Sequence, residues 1–409
     1  MNPPPIYLKR SFVTTLGLLT GMAAFTVDVS LPAVPAMADA LATSLSRGQQ
    51  IIGVFLAGMA VFQIPAGLIS DRIGRLPVLY IGTGLFALGA VAAAATSNID
   101  AMLWARFVQG LGASSAIVLS RAIVRDVASG QEAARLMSVL MMIFTAAPVI
   151  APSIGAVLVT TWGWRAPFIV VAILGFIIIA GIRANITETH TPVANVHPLR
   201  QLQSSIAEFF SHRQSIFGLL MIVLPPAGFL SVIPISSALI VESYGFSLQA
   251  FGLIFACAGL SILFGSFLNR LLVARFDMLQ LIALAATLLF VCGLQFLFML
   301  WSNQAPLWWL WGNVCLFMIA TAVLMPNALV LALDPLPKIA GVASSIVGTL
   351  QSITGAAGAI VGAIIYDGSV RNSVTIIAST SIFTVAMFLL RPLIAPGPFV
   401  HHPDELARD

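Results

Sequence analysis

Asp28 is the one acidic residue that falls deep inside a long apolar run of this chain. A carboxylate in hydrocarbon is costly, so it belongs on a bundle interior or beside a water-filled cavity. A carboxyl group whose access to solvent alternates can load a proton on one side and release it on the other. The same side chain could instead bond backbone groups freed by Pro32 and Pro35, which interrupt a helix at that end. Arg106 is the basic counterpart. Gln109, Gly110 and Ala113 follow it at i+3, i+4 and i+7, so one helix face carries a charge, an amide and small residues. A neighbouring helix can approach such a face closely, and the guanidinium needs a partner there. Two roles are open to it: biasing the ionisation of Asp28, or bonding backbone carbonyls.

A second constellation is denser. The stretch "GLISDRIGRLP" puts Asp71, Arg72 and Arg75 within five residues, framed by Gly67 and Gly74. Arg121, Arg125 and Asp126, with Glu132 and Arg135 beyond them, form another charged group that the topology below places on the same side. Such a cluster is either a solvated basic patch or a latch whose ion pairs form and break with conformation. A carboxylate such as Asp71 would also be favoured near a helix N-terminus, for example at the start of span eleven. Metal and nucleophile chemistry find no support. Cys257, Cys292 and Cys315 lie in apolar runs without ligand spacing, and the five histidines lie in the central loop or the tail.

The elements that must position these residues follow from composition. The chain has 409 residues, 59% of them hydrophobic and only 8% charged. Apolar runs of about 20 residues recur, long enough to cross a hydrocarbon core as helices. Solid runs rather than alternating segments exclude a transmembrane β-barrel. The expected fold is an all-α polytopic membrane protein with twelve spans, near 12–37, 47–69, 76–97, 100–125, 133–160, 163–184, 214–240, 246–270, 277–300, 305–332, 339–366 and 371–394. The polar stretch between spans six and seven reads as a linker, with a short amphipathic surface helix around Leu202–Phe210. The expected organisation is therefore a six-helix bundle over 1–184, a linker over 185–213, a second bundle over 214–394 and a tail over 395–409. Lys9–Arg10 and "AMADALA" imitate a secretory signal, but the run between them is long and carries Asp28 and prolines, so an uncleaved first span is expected.

With the N-terminus inside, fourteen Lys and Arg residues fall on inner loops and tails and three on outer loops, while Arg106 and Arg121 lie within span four. That asymmetry places both termini in the cytoplasm, in a bacterial-type inner membrane. The net charge of +4 is then topological, and no nucleic-acid partner is implied. The expected partners are the lipid bilayer and a small molecule, and a monomer is expected.

"GSFLNR", Gly265 to Arg270, repeats the pattern of "GLISDR" at an offset of 198 residues, with Asn269 where Asp71 stands. The offset carries span two onto span eight, implying two parallel six-helix halves related by a pseudo-twofold axis along the membrane normal, with a binding site between them.

These segments resemble the major facilitator superfamily. "GLISDRIGRLPVL" is similar to its loop motif between spans two and three, except that Pro77 stands where a basic residue is common. "LWARFVQGLGASS" resembles the span-four motif built on Arg106, Gln109 and Gly110. "APVIAPSIGA" resembles the span-five antiporter motif, here with Pro148, Pro152 and Gly155 on nearly one face and fewer glycines than the fullest versions. "VDVSLPAVP" resembles the span-one motif of drug:proton antiporters. Together with "RAIVRD" the set is most similar to the Bcr/CflA group of bicyclomycin and chloramphenicol exporters.

The resemblance implies a proton-coupled exporter of small, mostly apolar drugs working by alternating access. It links Arg106 to proton transfer and assigns the span-five face to a gating contact; a lipid-facing kink is the alternative there. The coupling ion is the proton and no cofactor is expected. An apolar substrate calls for a mostly apolar cavity with few polar groups. Candidates are Met22, Phe25, Gln109, Phe229, Asn313, Asn327 and Gln351, any of which could simply pack. A transporter of a neutral metabolite or lipid-like compound fits the same fold. A membrane enzyme or sensor lacks paired catalytic carboxylates, a phosphate loop and a soluble domain, and no span carries filter-like residues of a channel.

Overall fold

The computed structural model describes residues 9–190, 198–302, 304–397 and 399. Among these residues it is helical, without strands, and twelve helices are long and apolar enough to span a membrane. Each of the twelve spans expected from sequence corresponds to one of them.

The first span is a broken rod: α1 (Arg10–Ser30), a 3-10 turn at Leu31–Ala33, and α2 (Val34–Ala40). Pro32 and Pro35 sit at the second positions of the turn and of α2, within the first turn, where a missing N–H leaves no intrahelical bond unmade. The next helices are α3 (Leu45–Ile73), α4 (Arg75–Ala95), α5 (Ile99–Val127), α6 (Gly130–Trp162) and α7 (Ala166–Asn185). Side chains start two of them: the Ser44 hydroxyl accepts from the Arg47 N–H at 3.3 Å, and Asn98 Oδ1 accepts from the Asp100 N–H at 2.7 Å. The Arg47 and Asp100 side chains also pair with each other, tying the starts of α3 and α5 together.

Then come α8 (Pro198–Ser211), α9 (Arg213–Val232), the short α10 (Ser236–Ala238) and a π-turn over Leu239–Ser243. They are followed by α11 (Leu248–Leu272), α12 (Met278–Ser302), α13 (Leu307–Leu333), α14 (Ala340–Ile365), α15 (Val370–Leu389) and α16 (Arg391–Ile394). The amphipathic linker helix expected around 202–210 is α8, which buries Phe209 and exposes Phe210.

The chain forms two compact units. One comprises residues 1–195 with 236–259, the other 196–235 with 260–409. This partition differs from six helices and six because the end of the seventh span and the first half of α11 pack with the first six helices. In the first unit α5 packs on α3, α4 and α1, while α1 and α4 also contact α7 and α1 packs along α6. In the second unit α9 packs on α13, α14 and α15, and α12 lies against α13 and α15.

Lipid is as apolar as leucine, so burial alone does not drive these helices together, and close fit at small residues matters more. Gly110 of α5 lies against the Phe55 carbonyl of α3, and Gly58 of α3 lies against the Phe107 carbonyl of α5. A Cβ at either position would overlap backbone, so the pair fixes the α3–α5 crossing that carries Arg106. Outward faces carry Trp301, Leu389 and Leu253, as a hydrocarbon-facing surface should.

Candidate functional site

The break after α1 positions Asp28. Its backbone carbonyl accepts the Leu31 N–H that ends the helix. The residue is 7% exposed, and its side chain has no hydrogen bond or ion pair among the described residues. Bonding freed backbone is therefore not what this carboxyl does. Across from it, Gly155 of α6 meets the Val29 carbonyl and the Pro32 ring, so the antiporter-like segment packs on the residue after Asp28.

Arg106 is fully buried. Its Nη1 donates to Gln109 Oε1 at 2.7 Å and its Nε to the Ile51 carbonyl at 3.4 Å, while Nη2 has no partner among the described residues. The guanidinium carbon lies 4.7 Å from the centre of the Phe55 ring and 5.8 Å from that of Phe168. The partner on its own helix face is thus Gln109, whose Nε2 is itself unbonded. Among the described residues no ion pair joins Arg106 to Asp28. The Thr26 hydroxyl and both amide atoms of Gln49 are also buried without partners. Native interiors satisfy nearly all such atoms, through protein groups, water or a ligand, so each exception calls for an explanation. Spans one, two and four, all in the first unit, thus hold several buried polar atoms without a partner among the described residues.

The charge island resolves into one hub. Arg75 Nε donates to Asp126 Oδ2 at 2.9 Å, Nη2 reaches Asp126 Oδ1 at 3.4 Å, and Nη1 donates to Ser70 Oγ at 2.8 Å and to Asp71. Arg72, Arg121 and Arg125, expected in the same latch, are exposed and make no ion pair among the described residues. Gly67 faces Val118 at ordinary contact distance, so nothing there demands glycine. Gly74 is different: its φ of 97° is left-handed, and the Glu188 carboxylate occupies the space a Cβ would take.

Glu188 is the residue that sequence reasoning missed. Its Oε1 accepts the Arg75 N–H at 2.8 Å and its Oε2 the Leu76 N–H at 3.0 Å, capping α4 from the start of the linker. Next to it the Thr189 hydroxyl donates to Asp126 Oδ2 at 3.0 Å, and His190 Nε2 lies 3.2 Å from the Asp71 carbonyl. Modest burial works against ionisation of Glu188, but four backbone N–H donors outweigh it and hold its carboxyl below the usual glutamate value. Its contribution is therefore complete above the ordinary glutamate pKa and lost as pH falls through the lowered folded value. Glu188→Ala should cost about 1 kcal/mol, as loss of a helix cap does. In thermal unfolding the gap from wild type should be open at neutral pH and closed in acid.

The cavity candidates scatter in role. Met22 is buried and Phe25 and Phe229 are half-buried. Asn313 donates to the Cys292 carbonyl at 3.1 Å, joining α13 to α12. Asn327 donates to Asn269 Oδ1 and to the Val323 carbonyl, both at 2.7 Å, so the second-half repeat is held by an amide pair where the first half uses ions. Gln351 Nε2 sits 4.0 Å from the Met325 sulfur. On α6, Gly252 and Gly259 of α11 press against Ser153 and the Pro148–Val149 backbone, while Ile150 and Val157 are exposed. The Pro148, Pro152 and Gly155 segment thus packs between α1 and α11 and turns a different side outward.

Comparison with known proteins agrees with these motifs. The family model of the Major Facilitator Superfamily matches residues 16–359 and, in a second match, 231–404. A protein from Haemophilus influenzae described as a bicyclomycin resistance protein homolog is 28% identical over 356 residues, 87% of this chain and 88% of that one. The multidrug resistance protein MdtL of Shewanella oneidensis is 32% identical over 356 residues, 86% of each chain. Among solved structures, a D-xylose–proton symporter superposes with a TM-score of 0.70 at 18% identity, covering 96% of this chain and 98% of that one. Motifs, twelve spanning helices and matches along the chain converge: it belongs to the major facilitator superfamily of membrane transporters.

Proposed function

We propose that this protein exports small, mostly apolar drugs in exchange for protons, by alternating access, from a cytoplasm in which both its termini lie. The observation that carries the reading is Asp28, a buried carboxyl without a partner among the described residues, on a helix break packed against the antiporter-like segment of α6. Asp28 loads and releases the proton. Arg106, buried and incompletely bonded, acts on that transfer, and the Arg75 hub latches one conformation. The names of the bicyclomycin- and multidrug-resistance relatives support drugs as the substrate class. The fourteen-to-three distribution of basic residues supports the orientation in a bacterial inner membrane.

The test is accumulation of unrelated antibiotics in cells expressing the protein, with and without a protonophore. Lower accumulation of at least one drug, abolished by the protonophore, is expected. Unchanged accumulation of every drug would favour a neutral metabolite as the cargo.

A further inference from the structure

A cavity of about 580 Å³ opens in the second unit, and no residue used above for coupling lines it. It lies where α11 ends, α12 begins and α13 ends, so it belongs to one end of the helices and not to their middle. Its size falls in the range of about 300–1,000 Å³ typical of small-molecule sites. Val273, Phe276, Asp277, Asn327, Arg391 and Phe399 are among its walls.

Two of these side chains carry opposite charges and do not pair with each other. Arg391 stacks against Phe399 with its guanidinium carbon 4.5 Å from the ring centre, and its Nη2 reaches the Gly397 carbonyl at 3.4 Å. Its Nε is buried and has no partner among the described residues. Phe399 in turn stacks on Phe217 at 6.0 Å with the planes 22° apart, which holds the guanidinium in place from behind. Asp277 uses its backbone N–H on Gln280, but its carboxylate has no partner among the described residues. A fixed cation donor and a free carboxylate around one space suit a ligand that brings both charges. Close by in the chain, Leu271 lies two residues before the lining residue Val273, and Leu389 and Leu393 lie two residues either side of Arg391; all three are exposed apolar side chains of the kind that acyl chains cover.

We propose that this cavity binds the headgroup of an aminophospholipid, with phosphate oxygens on the Arg391 guanidinium and the primary ammonium on Asp277. A planar guanidinium matches phosphate by parallel N–H donors. The ammonium supplies N–H donors that the carboxylate can accept, which a quaternary amine cannot. The proposal rests on the chain spanning a membrane and is independent of drug export.

The experiment is native mass spectrometry of the full chain in detergent with added phosphatidylethanolamine, phosphatidylcholine or phosphatidylglycerol. Wild type should retain phosphatidylethanolamine about tenfold more than either other lipid, the worth of one charge-assisted hydrogen bond. Arg391→Ala should lower retention of all three, Arg391→Lys should restore part of it, and Asp277→Asn should erase the preference for phosphatidylethanolamine over phosphatidylcholine. Asp277 is exposed, so that variant keeps the test decisive if Arg391→Ala does not fold. Equal retention of the three lipids by wild type would overturn the proposal, as would a preference untouched by Asp277→Asn. Full displacement of the lipid by soluble phosphoethanolamine would also overturn it, by showing a site for a free zwitterion. None of these readouts depends on whether the protein exports drugs.

Discussion

Asp28→Asn is expected to abolish uphill drug export while leaving the protein folded and able to exchange drug downhill. The size of the loss follows from the driving force. One proton moving down 100 mV supplies about 2.3 kcal/mol, which sustains roughly a 50-fold concentration ratio of a neutral drug. Without a group that carries the proton, that ratio should collapse to about one. Asparagine keeps the shape of the side chain and removes only its titration. Because the carboxyl has no hydrogen bond or ion pair among the described residues to lose, the substitution should leave the melting temperature unchanged or raise it. Asp28→Glu should retain part of the coupling. A structural role would show the reverse: lower stability with coupling intact. Accumulation of drug in energised vesicles, set beside counterflow and a melting curve, separates the two.

Arg75→Ala should be the most damaging change in the charge island, costing about 3 kcal/mol, in the range for breaking a buried ion pair. The side chain of Arg75 is 8% exposed and that of Asp126 16%, so removing the cation strands a poorly solvated carboxylate. Asp71 is 57% exposed, and its share should be below about 1 kcal/mol. The expected order of destabilisation is therefore Arg75→Ala, then Asp126→Ala, then Asp71→Ala. Arg75→Lys should rescue little, because an ammonium cannot reach Asp126, Ser70 and Asp71 together. Unfolding in detergent ranks the three, and transport rate should fall in the same order with drug affinity little changed. An Asp71→Ala loss equal to that of Arg75→Ala would contradict the hub.

The spans were legible because their signal is local: about 20 apolar residues suffice, and prolines, glycines and charges mark where each run ends. Asp28 stood out for the same reason, as a lone charge in such a run. Within the island, sequence could not rank Arg72 against Arg75, since the difference lies in Asp126, 51 residues away on another helix. Glu188 was hidden more deeply. Its partners are the first N–H groups of a helix 113 residues earlier, and backbone donors leave no trace in side-chain patterns. One signal existed, a glutamate just beyond the C-terminal end of α7, on the side where α4 begins. Asn313 and Asn327 show the converse problem. An amide in an apolar helix can face a cavity or join two helices, and spacing alone does not say which. Both join helices here, Asn327 while lining the cavity at the helix ends.

The central claim is that drug and proton move in opposite directions through Asp28. Proteoliposomes holding a pH-sensitive dye and the purified protein test it directly, with a drug gradient imposed at no membrane potential. Wild type should move protons against the drug's direction as soon as drug is added, and Asp28→Asn should move drug without any proton signal. A proton signal of wild-type size in Asp28→Asn would contradict the account.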